Sequence, residues 1–216
     1  MWLWQAQVDD ITNQVVCHFD EVNVLFSTQN TSGISSYSWT SDVEIGAGLS
    51  GTSDMNFTAT NLTTNPIVAT ISVIPSFTSG GITNIGDVIS FTITVNPTAQ
   101  VDQPLDQVVC NLDEVSVLFS TQNTGGSTSY SWVSDTQIGA GLSGTGDMAF
   151  TATNITTEPI VATITVTPTF ENGGIVCDGE DKTFTITVNP TAQVDQPLDQ
   201  VVCNLDEVSV LFSTQN

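Results

Sequence analysis

The four cysteines are the residues whose type and spacing best suit a chemical role. Cys17, Cys110 and Cys203 follow one another at intervals of 93 residues, whereas Asn84 stands one interval before Cys177. A disulfide between Cys110 and Cys177 would stabilise a domain by about 4 kcal/mol on the chain-entropy model. We predict this bond, with Cys17 and Cys203 unpaired, and an oxidising extracellular setting. Buried free thiols are the alternative.

Metal binding has weaker support. His18 is the only histidine, Asn111 replaces it one interval later, and no Cys-x-x-Cys spacing occurs, so zinc is a poor fit. Asp178, Glu180 and Asp181 form the densest acidic loop, and their oxygen atoms suit calcium. The loop has no EF-hand spacing and is not repeated, so a solvated turn is the simpler interpretation. Calcium at these three residues is the alternative, and we expect no other cofactor.

Catalytic chemistry has few groups available in this chain. A nucleophilic triad needs a histidine or lysine base, and only His18 and Lys182 are present. Neither recurs one interval away. Paired carboxylates can hydrolyse glycosides, but no acidic residue stands out in an aromatic-lined context. We therefore expect that the protein is not an enzyme.

The charge excludes several classes of partner. The chain has 23 acidic residues, a single Lys or Arg, and a formal net charge of −22. Nucleic acids and anionic lipid surfaces both attract cationic proteins, so we expect neither as a partner. No stretch of about 20 apolar residues suggests membrane insertion. Hydrophobic residues make up 39% of the chain, which is too many for a disordered acidic tail.

A repeated stretch organises the elements that must position these residues. Residues 91–123 recur without change as residues 184–216, and a diverged copy begins near Gln7. A fixed period of this length indicates tandem domains. It predicts a fragment edge at 1–7, repeats at 8–97 and 101–190, joints at 98–100 and 191–193, and the start of an incomplete third repeat at 194–216. Pro97 and Pro104, and again Pro190 and Pro197, bound the joints and predict short, semi-stiff spacers.

Alternating apolar residues predict the fold of each repeat. The runs at 162–166 and 184–188 alternate at period two and are bounded by turn residues, which favours antiparallel strands. No segment has a convincing helical period. We predict an all-β protein of tandem antiparallel β-sandwiches in an extended array. We expect core positions for four aromatic residues, with sugar stacking as the alternative role: Tyr37, Trp39, Tyr130 and Trp132.

Six segments of the second repeat form a recognisable set: 108–110, 130–132, 141–146, 150–154, 159–168 and 177–190. This set resembles the PKD-like repeats of giant surface proteins in gliding Bacteroidetes, of which SprB-type mobile adhesins are an example. The resemblance implies an Ig-like sandwich, type IX secretion and a long cell-surface fibre. The chain departs from the wider PKD pattern because Trp132-Val-Ser-Asp135 replaces Trp-Asp-Phe-Gly-Asp-Gly.

These observations together predict a stalk or filament repeat of a bacterial cell-surface adhesin active in gliding motility. Its expected partners are neighbouring repeats, and an extracellular surface or polysaccharide reached through parts outside this sequence. A carbohydrate-binding module of a secreted enzyme is one alternative. A filament subunit that lends a strand to its neighbour is another.

Overall fold

The computed structural model of the chain describes residues 5–214. Most of the predicted fragment edge at 1–7 and the last two residues of the predicted third repeat lie outside this range. The described residues form sixteen strands and no helix, so the all-β prediction is confirmed. Accordingly, no helix in residues 5–214 meets the length and hydropathy of a membrane span.

Each repeat contributes eight strands. The first repeat has β1 Gln14–Cys17, β2 Glu21–Val24, β3 Ile34–Ser41, β4 Ser50–Gly51, β5 Met55–Thr58, β6 Ile67–Ser79, β7 Ile82–Ile85 and β8 Ile89–Asn96. The second has β9 Gln107–Cys110, β10 Glu114–Val117, β11 Ser127–Ser134, β12 Ser143–Thr145, β13 Met148–Thr151, β14 Ile160–Asn172, β15 Ile175–Asp178 and β16 Lys182–Asn189.

The same topology occurs in both repeats. In the first, one sheet has the order β1-β8-β6-β3-β4 with β7 paired to β6, and β2 and β5 form a second sheet. In the second, β9-β16-β14-β11-β12 with β15, and β10 with β13, correspond strand for strand. The pairs β1–β8 and β9–β16 are parallel. A cysteine therefore ends a parallel edge strand in each repeat.

Alternation along the long strands explains the cores. On β14, Ala162, Ile164 and Val166 are fully buried while Val161 is 54% exposed. β-Branched residues suit such half-buried strands. Each core lies between the large and the small sheet of its repeat. In the first repeat, Val22 and Met55 from the small sheet pack with residues from β3, β6 and β8 of the large sheet.

The chain forms two compact units that differ from the predicted repeats. Unit 1 contains Met1–Gln100, Thr121–Ser129 and Pro168–Glu180, and unit 2 contains Val101–Ser120, Tyr130–Thr167 and Asp181–Asn216. Unit 1 therefore includes the predicted joint 98–100 and two segments of the second repeat. The repeat boundaries at 8–97 and 101–190 describe the sequence period but not these compact units.

Acidic side chains accept hydrogen bonds from the backbone at matching places in both repeats. Asp42 Oδ1 accepts one from the Thr70 amide at 2.7 Å, and Asp135 Oδ1 accepts one from the Thr163 amide at 2.8 Å. Further carboxylates do the same for Phe26 and Phe119. These four carboxylates thus accept hydrogen bonds from backbone donors within the fold.

Candidate functional site

A disulfide joins Cys17 to Cys177 within unit 1. Cys17 ends β1, Cys177 lies on β15, and their Cα atoms are 5.6 Å apart across a sequence separation of 160 residues. Cys110 and Cys203 are free and exposed. This corrects the sequence prediction, which paired Cys110 with Cys177 and left Cys17 unpaired.

The register of β14 explains why Cys110 is the wrong partner. Ile160, at the start of β14, pairs with Val188 of β16, and Val188 pairs in turn with Val109 of β9. Cys110 directly follows Val109 and therefore lies near the start of β14. Cys177 pairs with Phe170, near the opposite end of the same strand. Ten residues of strand span about 33 Å. A disulfide requires Cα atoms within about 7 Å, so these two cysteines cannot meet.

Two asparagines bond to each other beside the disulfide. Asn96 Nδ2 donates to the Asn172 carbonyl at 3.0 Å, and Asn172 Nδ2 donates to Asn96 Oδ1 at 2.9 Å. Asn96 is opposite Cys17 in the β1–β8 pair and is fully buried. A buried amide needs such partners because desolvating it without them is costly.

The loop that precedes β11 makes a second group of contacts in unit 1. The Thr124 amide donates to the Thr64 carbonyl at 3.0 Å, and Thr124 Oγ1 donates to Asn65 Oδ1. A methyl group at Gly125 would lie 2.9 Å from Pro66 Cδ, and φ there is +77°. Glycine suits this position because it has no Cβ to clash with Pro66 and adopts positive φ without strain.

We call Val15, Cys17, Thr64, Asn65, Pro66 and Asn96 the receiving face. The segments 123–125 and 172–177 that contact it are called the inserting loops. Gly173 packs closely against the receiving face, because a methyl group there would lie 3.0 Å from Val15 Cγ2. The receiving face and the inserting loops belong to one compact unit and are joined by a covalent bond and hydrogen bonds.

The side chain of Asn123 holds the backbone of the joint predicted at 98–100. Asn123 Oδ1 accepts a hydrogen bond from the Gln100 amide at 2.7 Å, and Asn123 Nδ2 donates to the Thr98 carbonyl at 3.2 Å. Ala99 is 2% exposed and bridges to Gly179. Pro97 and Pro104 flank this segment and restrict φ at their own positions. The hydrogen bonds of Asn123 fix the backbone between them.

The free cysteines have the same local structure as the bonded one. The amides of Cys17, Cys110 and Cys203 donate to Asp20, Asp113 and Asp206 at 2.7, 2.8 and 2.8 Å. The turn that follows each cysteine contains one residue with positive φ, namely Phe19, Leu112 or Leu205. The same cysteine-bearing turn therefore forms three times.

The predicted core tryptophans are buried in the structure, with 6% exposure for Trp39 and 7% for Trp132. Tyr37 and Tyr130 are half-buried and pack against the two cores. Burial raises the pKa of Tyr37, and the charges of Asp9 and Asp54 raise it further. Buried tryptophans cannot stack on a sugar ring, which argues against the alternative role for this pair.

The acidic loop does not converge into a metal site. No group of three or more His, Cys, Asp or Glu side chains in residues 5–214 is placed to hold a metal ion. Asp178 lies on β15, and Asp181 accepts a hydrogen bond from Thr167 at 2.6 Å. Calcium at Asp178, Glu180 and Asp181 thus has no geometric support. His18 and Lys182 lie apart in sequence, and His18 Nδ1 accepts a hydrogen bond from the Asn61 amide.

The sequence analysis missed four asparagine side chains that hold backbone segments in place: Asn30, Asn61, Asn123 and Asn154. Asn61 and Asn154 are each 2% exposed, and each Nδ2 donates to two carbonyl oxygens in its own repeat. Asn30 and Asn123 each hold the backbone of a preceding segment. The identical Ser-Thr-Gln-Asn stretches at 27–30 and 120–123 carried this signal.

Comparisons with solved structures indicate the fold. The three N-terminal domains of the outer capsid protein Hoc of bacteriophage RB49 match with a TM-score of 0.52 and 13% identity, covering 86% of this chain and 69% of that one. Cadherin domains 3–6 of protocadherin gamma B2 give 0.43 at 13% identity, covering 87% and 53%. Mouse cadherin-23 domains EC22–24 give 0.35 at 12% identity, covering 87% and 65%.

The chain thus spans about half the length of the protocadherin fragment. No protein-family model and no curated protein matches the chain. The match to the Hoc domains agrees with the sheets described above. The prediction of tandem Ig-like β-sandwich domains is confirmed.

Proposed function

We propose that the protein is a structural repeat of a long bacterial cell-surface adhesin. In this role it forms part of a stalk or filament, is exported by the type IX route and moves along the surface in gliding motility. The Ig-like sandwich fold is compatible with a structural or adhesive repeat, but many unrelated functions share this fold. The proposal therefore depends on the repeat and its contacts.

One observation carries the proposal: the Cys17–Cys177 disulfide joins residues of successive sequence repeats. With this bond in place, tension applied to the two ends of the chain passes through the Cys17–Cys177 link and bypasses residues 18–176. The stretch that is copied without change, 91–123, holds the end of one sandwich, the joint and the start of the next. A stalk needs this part of the chain to stay constant, whereas a binding module needs a constant pocket.

The same bond bears on the setting of the protein. Disulfides persist in oxidising environments, so the bond supports an extracellular location. The net charge of −22 favours solubility and mutual repulsion of neighbouring molecules on a crowded surface. The likeness to PKD-like repeats of gliding adhesins adds the bacterial surface and the type IX route.

Antibodies against residues 5–214, applied to intact cells that produce the protein, test this proposal. We expect surface labelling that protease treatment of intact cells removes, and antibody-coated beads that move along gliding cells. Labelling that appears only after lysis contradicts the surface role. A glycan array probed with the same chain tests the alternative, because a carbohydrate-binding module should retain a defined sugar class and a stalk repeat should retain none.

A further inference from the structure

Unit 2 contains a set of residues equivalent to the receiving face, which we call the second face. Adding 93 residues to the positions of the first face gives Val108, Cys110, Thr157, Glu158, Pro159 and Asn189. Only Glu158 differs in type from its counterpart, Asn65, and a carboxylate accepts hydrogen bonds as an amide oxygen does. All six residues belong to unit 2.

Five of the six residues of this second face are more exposed than their counterparts on the first face, and only Glu158 matches its counterpart. Val108 is 70% exposed, whereas its counterpart Val15, which contacts Gly173, is half-buried. Pro159 is exposed and Pro66 is half-buried. The Cys110 thiol is free and exposed, although its backbone turn matches that of the bonded Cys17.

We propose that the face around Cys110 binds a further copy of this repeat and that Cys110 forms a disulfide with that copy. The partner cysteine is the one at the position that Cys177 occupies in its own repeat. This inference deepens the proposed function, since it rests on the tandem array named there. It adds the surface through which successive copies are held together.

The contacts already present in unit 1 define what the incoming copy must supply. A loop equivalent to 123–125 would hydrogen-bond to Thr157 and Glu158, and an asparagine equivalent to Asn172 would bond to Asn189. Repeats with the features of the second repeat meet this requirement. The first repeat does not, because Asn84 stands at the Cys177 position and Ser79 at the Asn172 position.

Cys203 is not the partner that this geometry requires. It corresponds to Cys17 and Cys110 and directly precedes the same kind of turn, so it belongs to a receiving face of its own copy. Bond formation removes one proton and one electron from each of the two thiols. A disulfide oxidant accepts the two electrons as its own sulfur–sulfur bond is reduced to two thiols.

The experiment lengthens the full chain. Because residues 184–216 repeat 91–123, attaching a copy of residues 124–190 after Asn216 completes a third repeat identical to the second. The matched control has the same extension with asparagine in place of its cysteine, as Asn84 replaces cysteine in the first repeat. Both chains carry Cys203→Ser, because residues 107–113 and 200–206 are otherwise identical peptides.

Both chains are oxidised with glutathione disulfide, alkylated and digested without reduction. A protease that cuts after Asp and Glu suits this chain, which has one Lys and no Arg. We expect two linked peptide pairs in equal amounts. One joins 11–20 to 172–178, and the other joins 107–113 to the extension's copy of 172–178. The control should retain the first pair, lose the second and show alkylated Cys110.

The first linked pair reports that unit 1 has folded in the same sample. Alkylated Cys110 in the lengthened chain, with that first pair intact, overturns the proposal. A second lengthened chain keeps Cys203 and carries Cys110→Ser. Its added cysteine should remain a free thiol, and a bond to Cys203 in this chain also overturns the proposal.

Failure of this link is distinguishable from failure of the proposed function. A chain that is absent from the cell surface but forms both linked pairs contradicts the adhesin role and leaves the receiving face supported. A surface-labelled chain whose lengthened form leaves Cys110 alkylated contradicts only the receiving face.

Discussion

Cys17 and Cys177 form a disulfide with Cα atoms 5.6 Å apart, although 160 residues separate them. The bond joins the end of β1 to the β14–β15 hairpin within unit 1. Because it spans most of the chain, it restricts the unfolded state more than a bond within one repeat would. The stability and the mechanical response of the protein should therefore both depend on it.

Removing this disulfide should lower stability strongly. For a loop of this length the chain-entropy model gives about 5 kcal/mol. We expect Cys17→Ser to lower the free energy of unfolding of unit 1 by several kcal/mol, measured by urea denaturation under non-reducing conditions. Reduction with dithiothreitol should lower the free energy of unfolding of the unmutated protein to a similar value.

Cys110→Ser is the matched control, since Cys110 is free and occupies the equivalent position in the second repeat. It should change the free energy of unfolding by less than about 0.5 kcal/mol, as surface substitutions usually do. An equal loss in both variants would mean that the bond between Cys17 and Cys177 does not stabilise the fold.

The buried amide of Asn96 should also contribute to stability. Asn96→Ala removes both hydrogen bonds to Asn172 and leaves polar groups of Asn172 without these partners. We expect a loss of about 1–3 kcal/mol, because two hydrogen bonds that contribute roughly 0.5–1.5 kcal/mol each are removed. Urea denaturation measures it.

Asn189→Ala is the corresponding change in unit 2, where Asn189 is only half-buried. A smaller loss than for Asn96→Ala is expected there. If the two losses are the same, Asn96 acts only as a strand residue and its bonds to Asn172 add nothing.

Asp135 should make the stability of unit 2 sensitive to acid. Its carboxylate accepts the Thr163 amide hydrogen bond, and this bond, followed by one from Thr136, lowers its pKa below the ordinary value of 3.8. A lowered pKa stabilises the folded state above the ordinary value, and the contribution is lost as the pH falls through the lowered pKa. Asp135→Asn should therefore flatten the pH dependence of the unfolding midpoint below about pH 4.

Asp10→Asn controls for the loss of one negative charge at an exposed aspartate. Thermal unfolding followed by circular dichroism between pH 2 and pH 7 compares the two variants. An equal change in slope for both would assign the effect to net charge and not to the Thr163 hydrogen bond.

The strands and the core could be predicted from local pattern. Ala162, Ile164 and Val166 alternate with more exposed residues, and this alternation alone places them inside. The recurrence of Trp39 at Trp132 likewise indicated a structural position. Alternation lies within a few residues, and the recurrence of the tryptophan is visible by comparing the two repeats, so a single sequence is enough to read both signals.

The disulfide partner could not be predicted in this way. Counting cysteines treats each repeat as closed, and Cys177 then has only Cys110 available. The register of β14 decides against that pair, and register depends on packing over the whole sheet. The acidic side chains present the same difficulty, since Asp135 accepts from a backbone amide that is distant in sequence.

Pulling a single molecule by its two ends measures directly which residues the disulfide joins. With the disulfide intact, the residues between Cys17 and Cys177 cannot extend, so reduction should lengthen the fully unfolded chain by about 530–580 Å. A gain of roughly 220–240 Å would instead indicate a bond between Cys110 and Cys177. That shorter gain, or no gain at all, would show that no covalent bond between Cys17 and Cys177 holds successive repeats together under tension.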